Sequence, residues 1–342
     1  MPPGDRPMSR YVRIPLASLI LSVLYISPCG GQSIKNIRVG YAGGVFTEAR
    51  QKDVQVALEL WMTNLGRRFD SRVEKITGTV FQDIQEIERT LKADEIDLVG
   101  LGSLDYLRLE DHTAMDPVLV GSAGGEVELE YAVFVRKDKN IRRIQDLKGR
   151  TLLVESGGSG DLTVVWLETS LLKNGLPEAA RFLGNVIMVD KPMQAVVPVF
   201  FNQADACLVS LRSFITMKEL NPQLGNELSI LIQSPRLLPG LICLRRAVGQ
   251  EFRDDVVNSM ARFHMEPEGQ QILLTFKMDK IVLFDPSYLK NTRKMFREYR
   301  ALQAGGETNK KGTKRASAGR QDDRSVQSRK KVGNTADSPA LK

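Results

Sequence analysis

"VESGGSGDLTVVW", Val154 to Trp166, runs from an apolar stretch through serines and glycines into a second apolar stretch. It is preceded by Thr151, Leu152 and Leu153, so a short, apolar, partly β-branched run enters a Ser/Gly turn. Such a run favours a buried strand. Beyond Asp161, Leu162, Val165, Trp166 and Leu172 recur near helical spacing. Strand, glycine turn and helix start is an arrangement in which free backbone N–H groups converge on an anion. The same arrangement occurs wherever a helix follows a strand, so the loop alone leaves both readings open.

The unit recurs along the chain. Ile37 to Gly40 opens a strand that ends in the turn Gly43 to Phe46, with Thr47 as the N-cap of a helix whose face carries Val54, Leu58, Trp61 and Leu65. Ile84, Ile87 and Leu91 mark a second amphipathic helix, followed by the strand "IDLVGLGS" (96–103) and a short helix from Leu104 to Leu109. Downstream, strands are expected at 131–135, 151–154, 186–189, 204–210 and 241–246. A short helix is expected over "IRRIQDLKGR" (141–150), another before Asn202, and helical segments over 250–300. Repeated strand–turn–helix units predict an α/β fold with largely parallel sheets.

Charge is unevenly placed. The net charge is +7, but residues 301–342 hold ten Lys/Arg against four Asp/Glu, and the first 33 residues hold three Arg against one Asp. The body between is therefore close to neutral, which argues against a nucleic-acid-binding domain. Arg6, Arg10 and Arg13 precede the apolar run Ile14 to Ile26 and the small residues Ser27 to Ser33, the pattern of an export signal. The run is short for a membrane span, so export to the periplasm is expected, with an uncleaved anchor helix as the alternative. Cys29 resembles a lipoprotein acceptor, although Pro28 departs from the usual small residue before it. Residues from 303 onward are polar and basic and are expected to be disordered. Cys207 and Cys243 lie in apolar runs and are expected to pack as small hydrophobes.

Enzyme signatures are largely missing. "GGSGD" fails the nucleophile-elbow pattern, "GLGSLD" lacks the third glycine of a dinucleotide fingerprint, and no phosphate-binding loop with its lysine occurs. Neither His112 nor His264 lies near another motif, and no Cys/His spacing suggests a metal. No catalysis, cofactor or metal is expected. What remains is a set of strand-end turns, Gly43 to Thr47, Gly102-Ser103 with Tyr106, and Ser156 to Gly160, each supplying hydroxyls ahead of a helix. Strand ends of this kind hold ligands in open α/β sheets.

Four stretches, in order, resemble one family: "IDLVGLGSLDYLRL" (96–109), "YAVFVRKDKNIRRIQDLKGRTLLVESGGSGD" (131–161), "FFNQADACLVS" (200–210) and "SPRLLPGLICLRR" (234–246). Together they resemble the phosphate/phosphite/phosphonate-binding proteins of ABC transporters, which have the type II periplasmic binding fold. The resemblance covers about residues 35–300. It implies a two-lobed α/β fold, each lobe a mostly parallel sheet flanked by helices, joined by two crossovers. Lobe one would be 34–124 plus 240–302 and lobe two 125–239, between a signal (1–33) and a basic tail (303–342). Carried over by position, Ser156, Ser159 and Gly160 would cradle a small oxyanion from lobe two. Thr47, Ser103 and Tyr106 would supply hydroxyls from lobe one, and Asp205 would meet an amino group or proton on the ligand, or else simply cap its strand. The implied partner of this monomer is a membrane ABC permease. The alternative is a sensing role beside a membrane partner such as a histidine kinase.

Overall fold

The computed structural model describes residues 36–42, 59, 62–63, 75–155 and 160–305. The expected export segment, most of the expected first helix with Thr47, residues 156–159 and the expected basic tail beyond Gly305 lie outside the described residues.

Two mixed sheets form the frame. The first contains β1 (Asn36–Ala42), β2 (Lys75–Phe81), β3 (Leu98–Gly102), β4 (Met115–Ser122), β10 (Gly240–Arg245) and β11 (Lys280–Leu283), in the order β11-β4-β10-β3-β1-β2. The second contains β5 (Tyr131–Arg136), β6 (Thr151–Glu155), β7 (Asn185–Val189), β8 (Ala206–Ser210) and β9 (Leu228–Gln233), in the order β7-β6-β8-β5-β9. In each sheet four strands run the same way. In the first, β10 and β11 run against them, and in the second β5 does. Strands β5 and β10 follow the two crossovers, so a strand that returns from the other lobe enters antiparallel.

Helices α1 (Ile84–Lys92) and α2 (Ser103–Leu109) follow β2 and β3, and α3 (Gly160–Lys173) follows β6. Next come α4 (Pro192–Phe200), α5 (Leu211–Leu220), α6 (Gln250–Ala261) and α7 (Pro267–Thr275). Asp83 caps α1 by accepting from Gln85 N at 2.9 Å, and Ile87 and Leu91 bury its apolar face. Helix α3 is apolar on most sides because it is enclosed: Leu162, Val165, Trp166, Leu167 and Leu171 are all buried.

Lobe one is pinned at the amino ends of its central strands by Asp97. Its carboxylate accepts from Arg38 N, Nε and Nη2, each at 3.0 Å, and from Arg245 Nε and Nη2 at 3.2 and 2.7 Å. One buried carboxylate thereby holds β1, β3 and β10 in register. Burial alone would raise the Asp97 pKa, but the Arg38 and Arg245 hydrogen bonds outweigh it and hold the carboxyl below its usual value.

The crossovers run through residues 123–130 and 234–239 and pair with each other, Leu129 and Leu237 exchanging two backbone hydrogen bonds of 2.8 Å. The first opens with a tight reversal at Gly124 and Gly125, whose positive φ values of 57° and 78° favour glycine. Asp279 clasps that reversal, accepting from Ser122 Oγ at 3.1 Å and Gly125 N at 3.2 Å. A C-terminal helix, residues 290–305, braces the crossovers. Thr292 Oγ1 accepts from Leu238 N at 2.9 Å, and Asn291 Nδ2 donates to Arg236 O at 3.0 Å.

Several elements differ from the sequence expectation. "IRRIQDLKGR" forms only a single 3-10 turn, Ile144–Leu147, because Asp146 accepts from the Arg142 and Arg143 backbone and the chain then turns at Gly149. Strands β2, β4, β9 and β11 were not expected, and β11 interrupts the helical stretch after 250. Cys207 and Cys243 are buried and unbridged, in different sheets, as packing residues should be. Burial pushes both thiols up.

Candidate binding cleft

The carboxyl ends of β1 and β3 in lobe one and of β6 and β8 in lobe two open on one cavity of about 340 Å³. Lobe one contributes Tyr41, Gly100, Ser122 and Ile242 to its wall, and the crossovers contribute Ala123, Glu126 and Leu129. Lobe two contributes Glu155, Ser210, Arg212 and Ser213.

The lobe-two wall is built by one strand-to-helix transition. Strand β8 ends at Ser210, which N-caps α5: its Oγ accepts from Ser213 N at 3.1 Å and lies 2.7 Å from Ser213 Oγ. The Ser210 backbone N–H donates to Glu155 Oε2 at 3.2 Å, tying the ends of β8 and β6 together. Arg212, in the first turn of α5, reaches back to the crossover, donating to Ala123 O and to Glu126 Oε2 at 2.9 Å. Arg236 also pairs with Glu126, at 3.1 Å, so two guanidinium groups share one carboxylate, and with Glu155 on the same wall the formal charges balance. Two hydroxyls, a helix N-terminus and a guanidinium converging between lobes can hold a compact anion.

Among the expected residues, Ser103 starts α2 directly at the end of β3. It is 1% exposed, its N–H donates to Pro239 O at 3.0 Å, and its Oγ has no hydrogen-bond partner among the described residues. Ser103 does not itself line the cavity, although Pro239, to which its N–H donates, and Gly240 do. Tyr106 is placed differently: it packs into the core, on the sheet face opposite Tyr41 and Ile242, in the field of Cys243 and Glu110. Desolvation, helped by those groups, pushes its pKa up to about 12. It does not line the cavity.

Asp205 is placed as in the second of its two expected readings. It precedes β8, and its carboxylate accepts from Thr151 N at 2.9 Å and pairs with Arg150 at 3.2 Å. β6 and β8 are parallel, so Asp205 lies with their amino ends, about 16 Å along the strand from Ser210 at 3.3 Å per residue. It fastens the start of β6 and does not meet the cleft. Gly160 is the first residue of α3, and Ser156, Ser159 and Thr47 lie outside the described residues.

Sequence reasoning passed over Glu155, Ser210, Arg212 and Ser213. The signal was present: "ACLVSLRS" is a buried strand ending in Ser-x-x-Ser at a helix start, the same pattern that singled out Ser103. Asp105, next to Ser103, pairs with Arg108 at 2.6 Å, which offsets its charge. Among the described residues no group of three or more His, Cys, Asp or Glu is placed to hold a metal ion.

Residues 44–289 match the sequence profile of a family described as the periplasmic substrate-binding protein of the phosphonate ABC transporter. No curated relative matches at the level of sequence. Among solved structures, a Xanthomonas citri protein bound to ATP is 16% identical with a TM-score of 0.58, over 79% of this chain and 98% of its own. A binding-protein component of a phosphonate ABC transporter from Pseudomonas aeruginosa is 15% identical with a TM-score of 0.53, over 83% and 99% of the two chains. PhnD1 of Prochlorococcus marinus, in complex with methylphosphonate, is 16% identical with a TM-score of 0.54, over 78% and 98%. At such identities these likenesses speak for the fold.

Proposed function

We propose, from the premise that this chain belongs to the periplasmic substrate-binding proteins of phosphonate ABC transporters, that it captures a small phosphorus oxyanion between its lobes. Membership makes it a solute-binding protein, exported to the periplasm, with a small-molecule ligand and a membrane permease as partners. The single observation that supports the binding site is the cavity between the strand ends of both lobes, where Ser210, Arg212 and Ser213 converge. In this reading the anion's oxygens take the Ser213 and Ser210 hydroxyls and the Arg212 guanidinium.

In the same reading Ser156, Ser159 and Gly160 add donors from lobe two, since Glu155, which precedes them in the chain, lines the cavity. Ser103 supplies its unpartnered hydroxyl from lobe one, and Thr47 a second. A ligand touching both walls draws the lobes together by flexing the two crossovers, and the closed form is what the permease receives. The chain acts as a monomer whose work is to bind its ligand and deliver it. Cys29 is the acceptor if the protein is lipid-anchored.

The test is a thermal-shift screen of the exported chain against methylphosphonate, phosphite, phosphate, alkylsulfonates and carboxylates. A ligand at one hundred times its Kd adds about 2.7 kcal/mol of stability. A shift with a phosphorus oxyanion supports the reading. No shift with any of them, beside a clear shift with another class, overturns it.

A further inference from the structure

Resting on that reading, we propose that the preferred ligand is a phosphonate carrying an apolar substituent of several carbons. Its anionic head would face Ser210, Arg212 and Ser213, and its substituent would fill a glycine-floored pouch against the lobe-one sheet.

The pouch follows from strand alternation. Successive side chains point to opposite faces of a sheet, so residues two apart share a face. Leu98, Leu119, Ile242 and Leu244 belong to one core cluster, against one face of the lobe-one sheet. Two residues nearer the cleft on the same face stand Gly100 after Leu98, Gly121 after Leu119 and Gly240 before Ile242. The ladders bring these positions side by side: Ile242 pairs with Gly100 on one side and Leu119 on the other, and Gly240 pairs with Gly102. At the cleft end of three adjacent strands the sheet carries no side chains of its own, and neighbours close over it: the Tyr41 ring lies against Gly100, the Met278 side chain over Gly121 and the Leu101 carbonyl beside Gly240. All three glycines line the cavity.

What surrounds the hollow is apolar. Ile272, Leu273 and Phe276 from the end of the chain's α7 region, Phe263, and Ile242 on the sheet line it, and the Met278 side chain lies over Gly121. Tyr41 closes one side. Burial pushes its phenol well above the ordinary range, so it stays neutral. Met278 is unbranched and adapts its shape more readily than other apolar side chains. Most of the charged and hydroxyl groups, Glu155, Ser210, Arg212 and Ser213, lie on the lobe-two side, with Glu126 on the crossover and only Ser122 and Lys277 on the lobe-one side.

Size agrees with this division. A cavity of about 340 Å³ falls among those that enclose organic molecules, roughly 300–1,000 Å³. A tetrahedral phosphoryl head fills only a fraction of it. A site for inorganic phosphate alone would have no use for an apolar half, and an oxyanion placed there would lose its hydration without hydrogen bonds in return.

The test is isothermal titration of the full-length exported chain with methyl-, ethyl-, butyl- and hexylphosphonate. Burying each added methylene should tighten Kd by about four-fold until the pouch is full. Ile242→Phe narrows the pouch, and in that variant hexylphosphonate should lose its advantage over methylphosphonate. Equal affinity for the methyl and hexyl compounds overturns the inference while leaving the oxyanion reading standing. An undiminished length dependence in a folded Ile242→Phe variant also overturns it. Failure of every phosphonate to bind defeats the underlying reading instead. If Ile242→Phe does not fold, the length series on the native chain decides the matter by itself.

Discussion

Replacing Asp97 with alanine should destabilise lobe one severely without touching the ligand. The side chain is 1% exposed and accepts five hydrogen bonds, three from Arg38 and two from Arg245. Its removal leaves the Arg38 backbone N–H and two guanidinium groups facing an empty site, with the Arg245 side chain only 19% exposed. Breaking a buried ion pair from one side costs about 3–5 kcal/mol, most of it the uncompensated charge left behind. At about 2–4 °C per kcal/mol for a chain of this class, Tm should fall by roughly 6–20 °C. Asp97→Asn keeps the shape and some acceptor capacity and should fall between. The assay is thermal unfolding followed by circular dichroism, with ligand titration well below the variant's Tm. Because Asp97 sits at the amino ends of strands whose carboxyl ends form the cleft, Kd should be unchanged while the variant is folded. A loss below about 1 kcal/mol would refute the reasoning, because it would mean that both arginines regain water at little cost.

Acid should act through the same group. The folded Asp97 pKa lies below its unfolded value of about 3.9, so the stabilisation is complete above that value and is lost as pH falls through the lower, folded one. Acid unfolding should be shallower in Asp97→Asn. In alkali the sign reverses at Tyr106: its pKa is raised to about 12, so its contribution is intact below pH ~10 and is lost as pH rises through 12. Tyr106→Phe should flatten the alkaline limb of stability measured by denaturant titration. Arg212→Ala should weaken oxyanion binding by about 10- to 150-fold, the worth of one charge-assisted hydrogen bond, as read by titration calorimetry. Cys207 and Cys243 should resist thiol reagents in the folded chain and label only on unfolding, since burial pushes both away from the thiolate.

The strand–turn–helix units were legible because their strands are apolar runs closed by glycine or serine, as in "IDLVGLGS" and "TLLVESGG". The strands that escaped notice lack that signature. β2 and β11 stand at the sheet's edges and are half solvated, and β11 is only four residues long. β4 carries Asp116 and Pro117 in its first half, and Pro117, with no N–H to donate, sits where the β10 ladder shifts register. Asp205 stays between two readings in the sequence because an acidic residue beside a strand says nothing of which end faces the cleft. Only the parallel pairing of β6 with β8 shows that it faces away. Ser210 and Ser213 obeyed the rule already applied to Ser103, so they were readable. The glycine floor was not, because Gly100, Gly121 and Gly240 come together only through the β3–β10–β4 ladders.

The proposal that the cleft between the lobes takes a phosphorus oxyanion turns on Arg212 and the two serines beside it. The most direct measurement is a calorimetric titration of the exported chain with methylphosphonate, repeated on Arg212→Ala. Saturable binding at one ligand per chain is expected, weakened at least ten-fold in the variant. Binding of a sulfonate or carboxylate with no heat from methylphosphonate, phosphite or phosphate, or an affinity indifferent to Arg212, would contradict it.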